Sequence, residues 1–439
     1  MGSAKTSAAD GNAPLRIFLI QSAHGLFASS GGFRANMAFC RAMAAAGHEV
    51  KMLALPHKDD LALISNHTTD GRRHFGSYEV EVFRFSYKGI EVVGLEVEQY
   101  ANAMENPQVK AQHVAWLENK VDVPELDARL SFVHEEIAAF RPTHLLMNEP
   151  SSLKIAMDDK LKHPCIRVFI AHDCNNLPFG PFSVDGPGDA QLARLREVEG
   201  LWTVSKALKQ YFLEFGQLDN AKVLPNHPWI FSDEPEKLPF YDNWDKKYVC
   251  AINPGAAKGF HIVHAVAQSM PDVEFLVTKS WSMTEHVITK FEELPNVLVE
   301  ESVKDMEKLW CRTKVLIVPS ICYEAFGLVV VEALLRGIPV ISSDAGGLPE
   351  AHLNTPWVIP VTPLTGEKET DPDLIEKFGQ WKIPMNDPEP WVLTLHKLLW
   401  DRDTYMEIRK QGRDAAFEYM KQLDTRVYED WLQSLHRCR

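Results

Sequence analysis

The sequence lacks the long apolar runs of a membrane protein and has little positive charge. No run reaches 18 apolar residues and the N-terminus has no apolar signal core, so we expect neither a membrane span nor a secretory signal. Its 46 Lys and Arg are outnumbered by 60 Asp and Glu, which leaves a formal net charge of −14. Nonspecific nucleic-acid binding needs cations that neutralise phosphates, so this charge argues against it. Any anionic ligand must therefore find a local positive site.

The sequence also lacks the closely spaced cysteine pairs of metal-binding and redox motifs. The seven cysteines are scattered, without CxxC or zinc-type spacing, so we expect reduced thiols, a cytoplasmic protein and no metal cluster. The opening residues "MGSAKT" fit the pattern for myristoylation at Gly2. The Ala, Ser, Gly and Asn composition of residues 1–14 instead favours a disordered tail.

Short apolar strands alternate with amphipathic helices from Leu15 onward. "LRIFLI" is followed by a glycine-bearing loop, a helical stretch that ends near Gly47, and a second strand, "HEVKMLAL". Further strands are predicted at "THLLMN", "IRVFIAH", "GLWTVS" and "KVLPN". This alternation is typical of a parallel sheet covered by helices on both faces. We therefore predict an N-terminal α/β domain over residues 15–231.

A second series of strands and helices follows residues 232–247, which lack periodicity and are interpreted as a linker. Its strands are predicted at "YVCAIN", "VEFLVT", "NVLVEE", "KVLIVPS", "PVISS" and "WVIPV". They define a C-terminal α/β domain over residues 248–413. The long polar segment 361–390 is either a lid or a surface insertion. Residues 414–439 carry apolar side chains at helical spacing.

The segment "PSICYEAFGLVVVEALLRGIPVIS" carries two glutamates, Glu324 and Glu332, separated by mostly apolar residues. "KVLIVPS" predicts a buried strand and "GLVVVEALLRG" a helix. Glu324 then lies in the loop before the helix, and Glu332 lies about 8 Å further along the helix axis. A charge within "LVVVEALL" is costly unless something binds it. The ordinary alternative makes Glu332 a solvated helix residue and Glu324 a loop charge or capping group.

The start of this helix, between the two glutamates, predicts a phosphate site. The N–H groups of Phe326, Gly327 and Leu328 have no partner within a helix, and Gly327 allows a ligand to approach the backbone. Two carboxylates on either side of a phosphate site match the order of groups in a nucleotide sugar, which are hexose hydroxyls, diphosphate and ribose hydroxyls. The pattern therefore favours a nucleotide-sugar ligand.

The stretch "PSICYEAFGLVVVEALLRGIPVISSDAGGLPE" resembles the signature of glycosyltransferase family 4, the retaining nucleotide-sugar transferases of GT-B fold. "AINPGAAKGFHIVHAVAQSMPDVEFLV" resembles the phosphate-binding loop of that family, and "VSKALKQYFLEFGQLDNAKVLPN" resembles the end of its N-terminal domain. The resemblance covers most of residues 15–360. It implies two Rossmann-like domains whose parallel sheets face a central cleft, with residues 414–439 forming a helix that crosses back to the N-terminal domain.

The resemblance also implies roles for the matched residues. Glu324 would accept hydrogen bonds from the hydroxyls of the donor sugar. His172 would lie near the reacting carbon, and a core histidine is the alternative. Glu332 would hold the ribose, and Lys258 would meet the diphosphate. The arginine that the family usually has five residues before this lysine is Asn253 here. The other donor-binding candidates are Gly31, Gly32, Phe326, Gly327 and Leu328, with Gly346 and Gly347 beside the donor, and His24 is the acceptor-binding candidate.

The implied activity is the transfer of a hexose from a nucleotide sugar, UDP-linked by analogy, to an acceptor hydroxyl with retention of configuration. No Asp-x-Asp motif is placed to hold a diphosphate, so we expect no metal and no cofactor, with orientation and charge stabilisation supplied by the protein. We expect neither a nucleic-acid partner nor integral membrane contact. The acceptor and the oligomeric state are left open.

Other hypotheses use the same features. A GT-B phosphorylase or a sugar-nucleotide epimerase would share the site and differ in its products. A non-catalytic nucleotide-sugar binding protein is favoured if Asn253 impairs donor binding. A Rossmann-type dehydrogenase needs a GxGxxG turn, which "ASSGGFRANMA" does not supply.

Overall fold

The computed structural model describes residues 13–24, 30–62, 64, 66–303 and 305–436, without the side chains of residues 22–24. It has the predicted α/β class, with two separate sheets covered by helices. The strands of the N-terminal sheet are β1 (Arg16–His24), β2 (Glu49–Leu55), β3 (Thr68–Phe75), β4 (Tyr78–Tyr87), β5 (Ile90–Leu95), β6 (His144–Met147), β7 (Ile166–Ala171), β8 (Gly200–Thr203) and β9 (Lys222–Val223). The accompanying helices are α1 (Gly31–Ala45), α2 (Lys58–Ala62), α3 (Glu98–Ala103), α4 (Pro107–Leu117), α5 (Pro124–Phe140), α6 (Pro150–Ala156), α7 (Asp189–Glu197) and α8 (Lys206–Gly216).

Strand β1 is central in this sheet, whose order is β3-β4-β5-β2-β1-β6-β7-β8-β9. Its side chains alternate between two apolar clusters: Phe18 and Ile20 belong to one, Ile17 and Leu19 to the other, and all four are inaccessible to solvent. A strand buried on both faces reads as a continuous apolar run, as "RIFLI" does. Helices therefore cover both faces of the sheet.

The expectation of a parallel sheet is wrong at one edge of the N-terminal domain. Strands β3, β4 and β5 form an antiparallel meander that joins the sheet through the parallel pair β2–β5. Two-residue connections with positive φ at Gly76 and at Lys88 and Gly89 reverse the chain, and short turns of this kind are typical of hairpins. The alternation in "YEVEVFRFSY" was the sequence signal for this edge.

The C-terminal sheet is entirely parallel, in the order β12-β11-β10-β13-β14-β15. Its strands are β10 (Tyr248–Ile252), β11 (Glu274–Thr278), β12 (Val297–Glu300), β13 (Thr313–Val318), β14 (Val340–Ser343) and β15 (Val358–Ile359). Its helices are α9 (Phe260–Ser269), α10 (Glu285–Glu292), α11 (Glu307–Trp310), α12 (Leu328–Leu335), α13 (Leu348–Ala351), α14 (Pro372–Phe378) and α15 (Glu389–Trp400). The strand order reverses between β10 and β13, and such a switch point opens a crevice at the carboxyl ends of the strands.

Two segments, the stretch interpreted as a linker and the segment 361–390, are held by contacts with other parts of the protein. In the stretch interpreted as a linker, the Asn243 side chain donates to the carbonyl oxygens of Trp310 and Thr313, at 2.8 and 2.6 Å. The segment 361–390 reaches the N-terminal domain, where the ring centroids of Trp381 and Phe182 are 6.3 Å apart. The long polar segment therefore lies at the contact between the domains.

The chain ends with α16 (Arg402–Gln422) and α17 (Arg426–Ser434). Helix α17 packs on the N-terminal domain, where the Tyr428 hydroxyl donates to the Pro225 carbonyl at 2.7 Å and His144 Nε2 lies 2.9 Å from the Leu432 carbonyl. In the part of the chain that the structure describes, no helix is both long enough and apolar enough to cross a bilayer. The six cysteines there are free thiols, and Gly2 lies outside the described residues.

We predict that Tyr428→Ala destabilises the protein by about 3–5 kcal/mol, because it empties the site of a large aromatic side chain. Tyr428 is only 1% exposed and lies against Trp202 and Phe39. Urea unfolding measures the effect. The exposed Asp430→Ala, on the same helix, is the control and should stay within about 0.5 kcal/mol of the parent. Equal stabilities for the two variants would show that α17 is not part of the folded unit.

Candidate active site

The predicted phosphate site lies at the start of α12, in the crevice at the switch point of the C-terminal sheet. Gly327 precedes the helix with φ of 108°. The preceding loop is held by the Gly347 N–H, which donates to the Glu324 carbonyl at 2.7 Å. A Cβ on Gly346 would lie 2.3 Å from the same carbonyl oxygen, so "DAGGLPE" needs glycine there. Within the described residues, the N–H groups at 326–328 have no hydrogen-bond partner.

Glu324 and Lys258 form an ion pair beside this helix start. Lys258 ends the short turn Ala256–Lys258, and its Nζ lies 2.5 Å from Glu324 Oε1. The Ser320 hydroxyl donates to the same oxygen at 2.6 Å. Burial favours the neutral carboxyl, but Lys258 and these hydrogen bonds outweigh it and keep the pKa of Glu324 below its usual range. Both groups are therefore charged at neutral pH.

Glu332 is paired with a residue of the other domain. It is 5% exposed, and its Oε1 accepts a hydrogen bond at 2.6 Å from Nη2 of Arg34, on α1. Arg34 also donates to the Ile230 carbonyl at 3.0 Å. The charge within the apolar helix is thus compensated, and the alternative of a solvated Glu332 is wrong. Sequence reasoning did not identify Arg34, which is 298 positions away from Glu332 in the sequence.

The two glycines that begin α1 bring the domains together. A Cβ on Gly31 would lie 3.1 Å from Cδ1 of Leu328, and a Cβ on Gly32 would lie 3.1 Å from Cβ of His172. The Gly-Gly pair is therefore located between His172 and the start of α12. A side chain at either glycine would crowd this contact.

His172 follows β7 at the carboxyl end of the N-terminal sheet and is half-buried. Its Nε2 lies 2.7 Å from Oδ1 of Asn36, a buried residue of α1. Burial disfavours the imidazolium and lowers the pKa of His172 to about 4. The imidazole is therefore neutral at physiological pH. Asn36 gave no sequence signal beyond its position one turn after the Gly-Gly pair.

Asn253 has no hydrogen bond with these side chains within the described residues. Asn253 has φ of 54°, and its amide oxygen accepts hydrogen bonds from the N–H and the hydroxyl of Ser282, at 3.2 and 2.6 Å. Its amide oxygen thus holds the loop after β11. The side chain of His24 lies outside the described residues. No group of three or more His, Cys, Asp or Glu in the described part of the chain could hold a metal ion.

A second contact between the domains was also missed. The carboxylate of Glu350, next to the glycine loop, accepts hydrogen bonds from the N–H groups of Lys206 and Ala207, at 3.0 and 2.8 Å. The Tyr323 hydroxyl donates to the Ala207 carbonyl at 2.7 Å. The C-terminal domain thus provides a cap for the start of α8 in the N-terminal domain.

Comparison with known proteins identifies the domain that carries this site. Residues 255–365 match the family model described as glycosyl transferases group 1. An uncharacterized glycosyltransferase, MJ1607, of Methanocaldococcus jannaschii is 41% identical over 61 residues, which cover 13% of this chain and 15% of that protein. Sulfoquinovosyl transferase SQD2 of Arabidopsis thaliana is 27% identical over 166 residues, 38% of this chain and 29% of that protein. The matches thus span less than a third of each relative.

Solved structures match over nearly the whole chain. Sucrose-phosphate synthase from Thermosynechococcus elongatus superposes with a TM-score of 0.65 at 16% identity, over 96% of this chain and all of that one. The structure of Anabaena Alr3699/HepE in complex with UDP and glucose gives 0.62 at 14% identity, with the same coverage. The chain therefore has the two-domain GT-B fold. Its C-terminal half contains a glycosyltransferase domain.

We predict that His172 makes the protein less stable as the pH falls from about 6.5 toward 4. The unfolded chain binds a proton near pH 6.5 and the folded one only near 4, so acid favours unfolding in this window. When the pH is lowered from 7 to 5, the free energy of unfolding should fall by roughly 1–2 kcal/mol less in His172→Gln than in the parent. Urea unfolding at both pH values tests this, with the exposed His396→Gln as control. Identical losses in parent and His172→Gln would contradict it.

Proposed function

We propose that this protein is a retaining glycosyltransferase that moves a hexose from a UDP-linked sugar to an acceptor hydroxyl without a metal ion or cofactor. The observation that carries the proposal is the start of α12, where the N–H groups at 326–328 have no partner among the described residues and are flanked by Glu324 and Glu332. The glycosyltransferase domain match over the same segment supports it.

The proposed donor position follows from charge and geometry. The N–H groups at 326–328 and the helix dipole favour the diphosphate at the start of α12. Glu332, one turn further along, then faces the ribose hydroxyls, and Glu324 faces the hexose. Arg34 pairs with Glu332 when no donor is bound, so the ribose must share this carboxylate or displace Arg34.

The pairing of Glu324 favours a binding role over attack on the sugar. Lys258 and Ser320 both engage the Oε1 atom of Glu324, and an anion stabilised in this way is a weaker nucleophile. This supports a scheme in which the acceptor attacks from the face of the leaving diphosphate, which takes the acceptor proton. In this scheme the protein orients both substrates and stabilises charge.

A donor linked to UDP is proposed by analogy with a structural neighbour. The Anabaena protein was crystallised with UDP and glucose, and glucose is the hexose that we propose first. The acceptor is left to experiment because a shared fold does not define it. Phosphorylase and epimerase activities remain alternatives that product analysis separates.

One observation favours a second candidate, a nucleotide-sugar binding protein without catalysis. Asn253 replaces the expected arginine and engages Ser282, while Lys258 is already paired with Glu324. The loop after β10 therefore offers a diphosphate less positive charge than the family pattern implies.

A donor screen tests the proposed function. UDP-glucose and UDP-N-acetylglucosamine should raise the melting temperature, because a ligand at a hundred times its Kd stabilises the folded state by about 2.7 kcal/mol. The bound donor should also be hydrolysed slowly, with release of UDP and a sugar of retained anomeric configuration. Stabilisation without turnover under any acceptor or water condition would favour the binding protein. No stabilisation by any nucleotide sugar would refute the proposal.

Glu324→Gln and Glu332→Gln should affect catalysis and binding differently, because the two carboxylates are proposed to contact different parts of the donor. Loss of a charge-assisted hydrogen bond costs roughly 1–3 kcal/mol. Glu324→Gln should lower kcat about tenfold or more while UDP still binds. Glu332→Gln should mainly weaken the binding of both UDP-sugar and UDP. Kinetics and calorimetry measure both variants.

The pair with Arg34 requires a control for Glu332→Gln, because that variant also breaks a contact between the domains. Arg34→Met breaks the same contact but leaves the carboxylate for the ribose. If Glu332 binds the ribose, only Glu332→Gln should weaken UDP binding. Equal weakening in both variants would assign Glu332 to domain contact alone.

Activity should survive treatment with EDTA, because the start of α12 and Lys258 are proposed to neutralise the diphosphate. Initial rates with and without chelator measure this. Complete loss of activity that manganese restores would show that a metal performs this role.

A further inference from the structure

A chain of hydrogen-bonded polar side chains runs from the half-buried Glu149 to the half-buried His172 in the N-terminal domain. Gln21 Nε2 lies 3.3 Å from Glu149 Oε1, Asn36 Nδ2 lies 2.7 Å from Gln21 Oε1, and His172 Nε2 lies 2.7 Å from Asn36 Oδ1. Gln21 and Asn36 are each 1% exposed. Four polar groups from β1, α1, the start of α6 and the end of β7 are thus linked, with the two amides of the chain buried in the core.

The direction of every hydrogen bond in this chain is set at the Glu149 end. A carboxylate only accepts, so the amide nitrogen of Gln21 must face Glu149 and its oxygen must face Asn36. The Asn36 amide nitrogen then donates to Gln21, and its oxygen faces His172. The imidazole must therefore donate from Nε2. In a neutral imidazole this leaves Nδ1 without a proton.

We propose that Asn36 is a positioning residue that holds His172 in the Nε2-protonated tautomer, so that Nδ1 presents a lone pair to a hydroxyl of the bound substrate. The substrate part of this inference rests on the proposed function, whereas the tautomer does not. Nδ1 has no hydrogen bond with any residue that the structure describes. His172 then serves as a hydrogen-bond acceptor and not as a proton donor.

Two further observations support this role. Gly32 leaves room for the His172 ring in its present position, because a Cβ there would lie 3.2 and 3.3 Å from Cγ and Cδ2 of the ring. Burying two amides is costly unless each polar group is satisfied, and an apolar pair would pack at lower cost. A fully satisfied chain that ends at a cleft histidine is therefore better explained by the orientation of that histidine.

Nitrogen-15 NMR of the protein labelled at histidine tests the tautomer without any substrate. The His172 signals are assigned by their loss in His172→Gln. In the parent, the proton should reside on Nε2 and the Nδ1 shift should be that of an unprotonated nitrogen. A proton on Nδ1 would overturn the proposal.

Two variants test whether the chain sets this tautomer. Glu149→Gln keeps the shape and replaces the acceptor-only end by an amide that can also donate, so His172 should become a mixture of tautomers. Asn36→Leu removes the acceptor and should have the same effect. The control, Glu118→Gln, changes a carboxylate that accepts from the N–H groups of Ala190 and Gln191 in the same domain. It should leave the His172 spectrum unchanged.

These outcomes are independent of activity. If Glu149→Gln and Asn36→Leu fold but keep the parent spectrum, Asn36 does not position His172 and the inference is wrong. If Asn36→Leu does not fold, Glu149→Gln alone decides. A correct tautomer with no response to any nucleotide sugar would refute the proposed function and leave the positioning role intact.

Discussion

The candidate site depends on the contact between the starts of two helices from different domains. Gly31 of α1 faces Leu328 of α12, and one turn further along each helix Arg34 meets Glu332. Because both helices point the positive ends of their dipoles at this contact, it concentrates positive potential at the cleft. The ion pair behind it fixes how the helices approach each other. Glycine at position 31 leaves room for the Leu328 side chain, whose Cδ1 would lie 3.1 Å from a Cβ there.

The buried charges follow from the same arrangement. An isolated carboxylate in an apolar helix would be costly, and Glu332 is tolerated because a guanidinium from the other domain compensates it. Glu324 is tolerated because Lys258 and Ser320 surround it. Each carboxylate is therefore held in place before a ligand arrives. A site prepared in this way loses little energy to reorganisation when charge develops.

The sequence predicted the local features of this site better than its distant ones. The strand before Glu324, the helix that carries Glu332 and the glycine between them follow from patterns a few residues long. Arg34 and Asn36 did not follow, because their partners are 298 and 136 positions away and no period links them. The antiparallel edge of the N-terminal sheet was missed for a different reason. The alternation of apolar and polar residues in β4 is a local signal, and the prediction of a parallel sheet did not take it into account.

The cap that Glu350 provides to α8 ties a helix of one domain to the position of the other. Glu350 accepts from the first two N–H groups of α8, the Ser205 side chain accepts from Leu208, and the Ser205 carbonyl accepts from Lys209. The N–H groups of the first three helical residues thus all have partners only while the domains are in contact. Separation of the domains would return two of these amides to water. Amide hydrogen exchange at the first turn of α8 therefore reports how often the two domains separate.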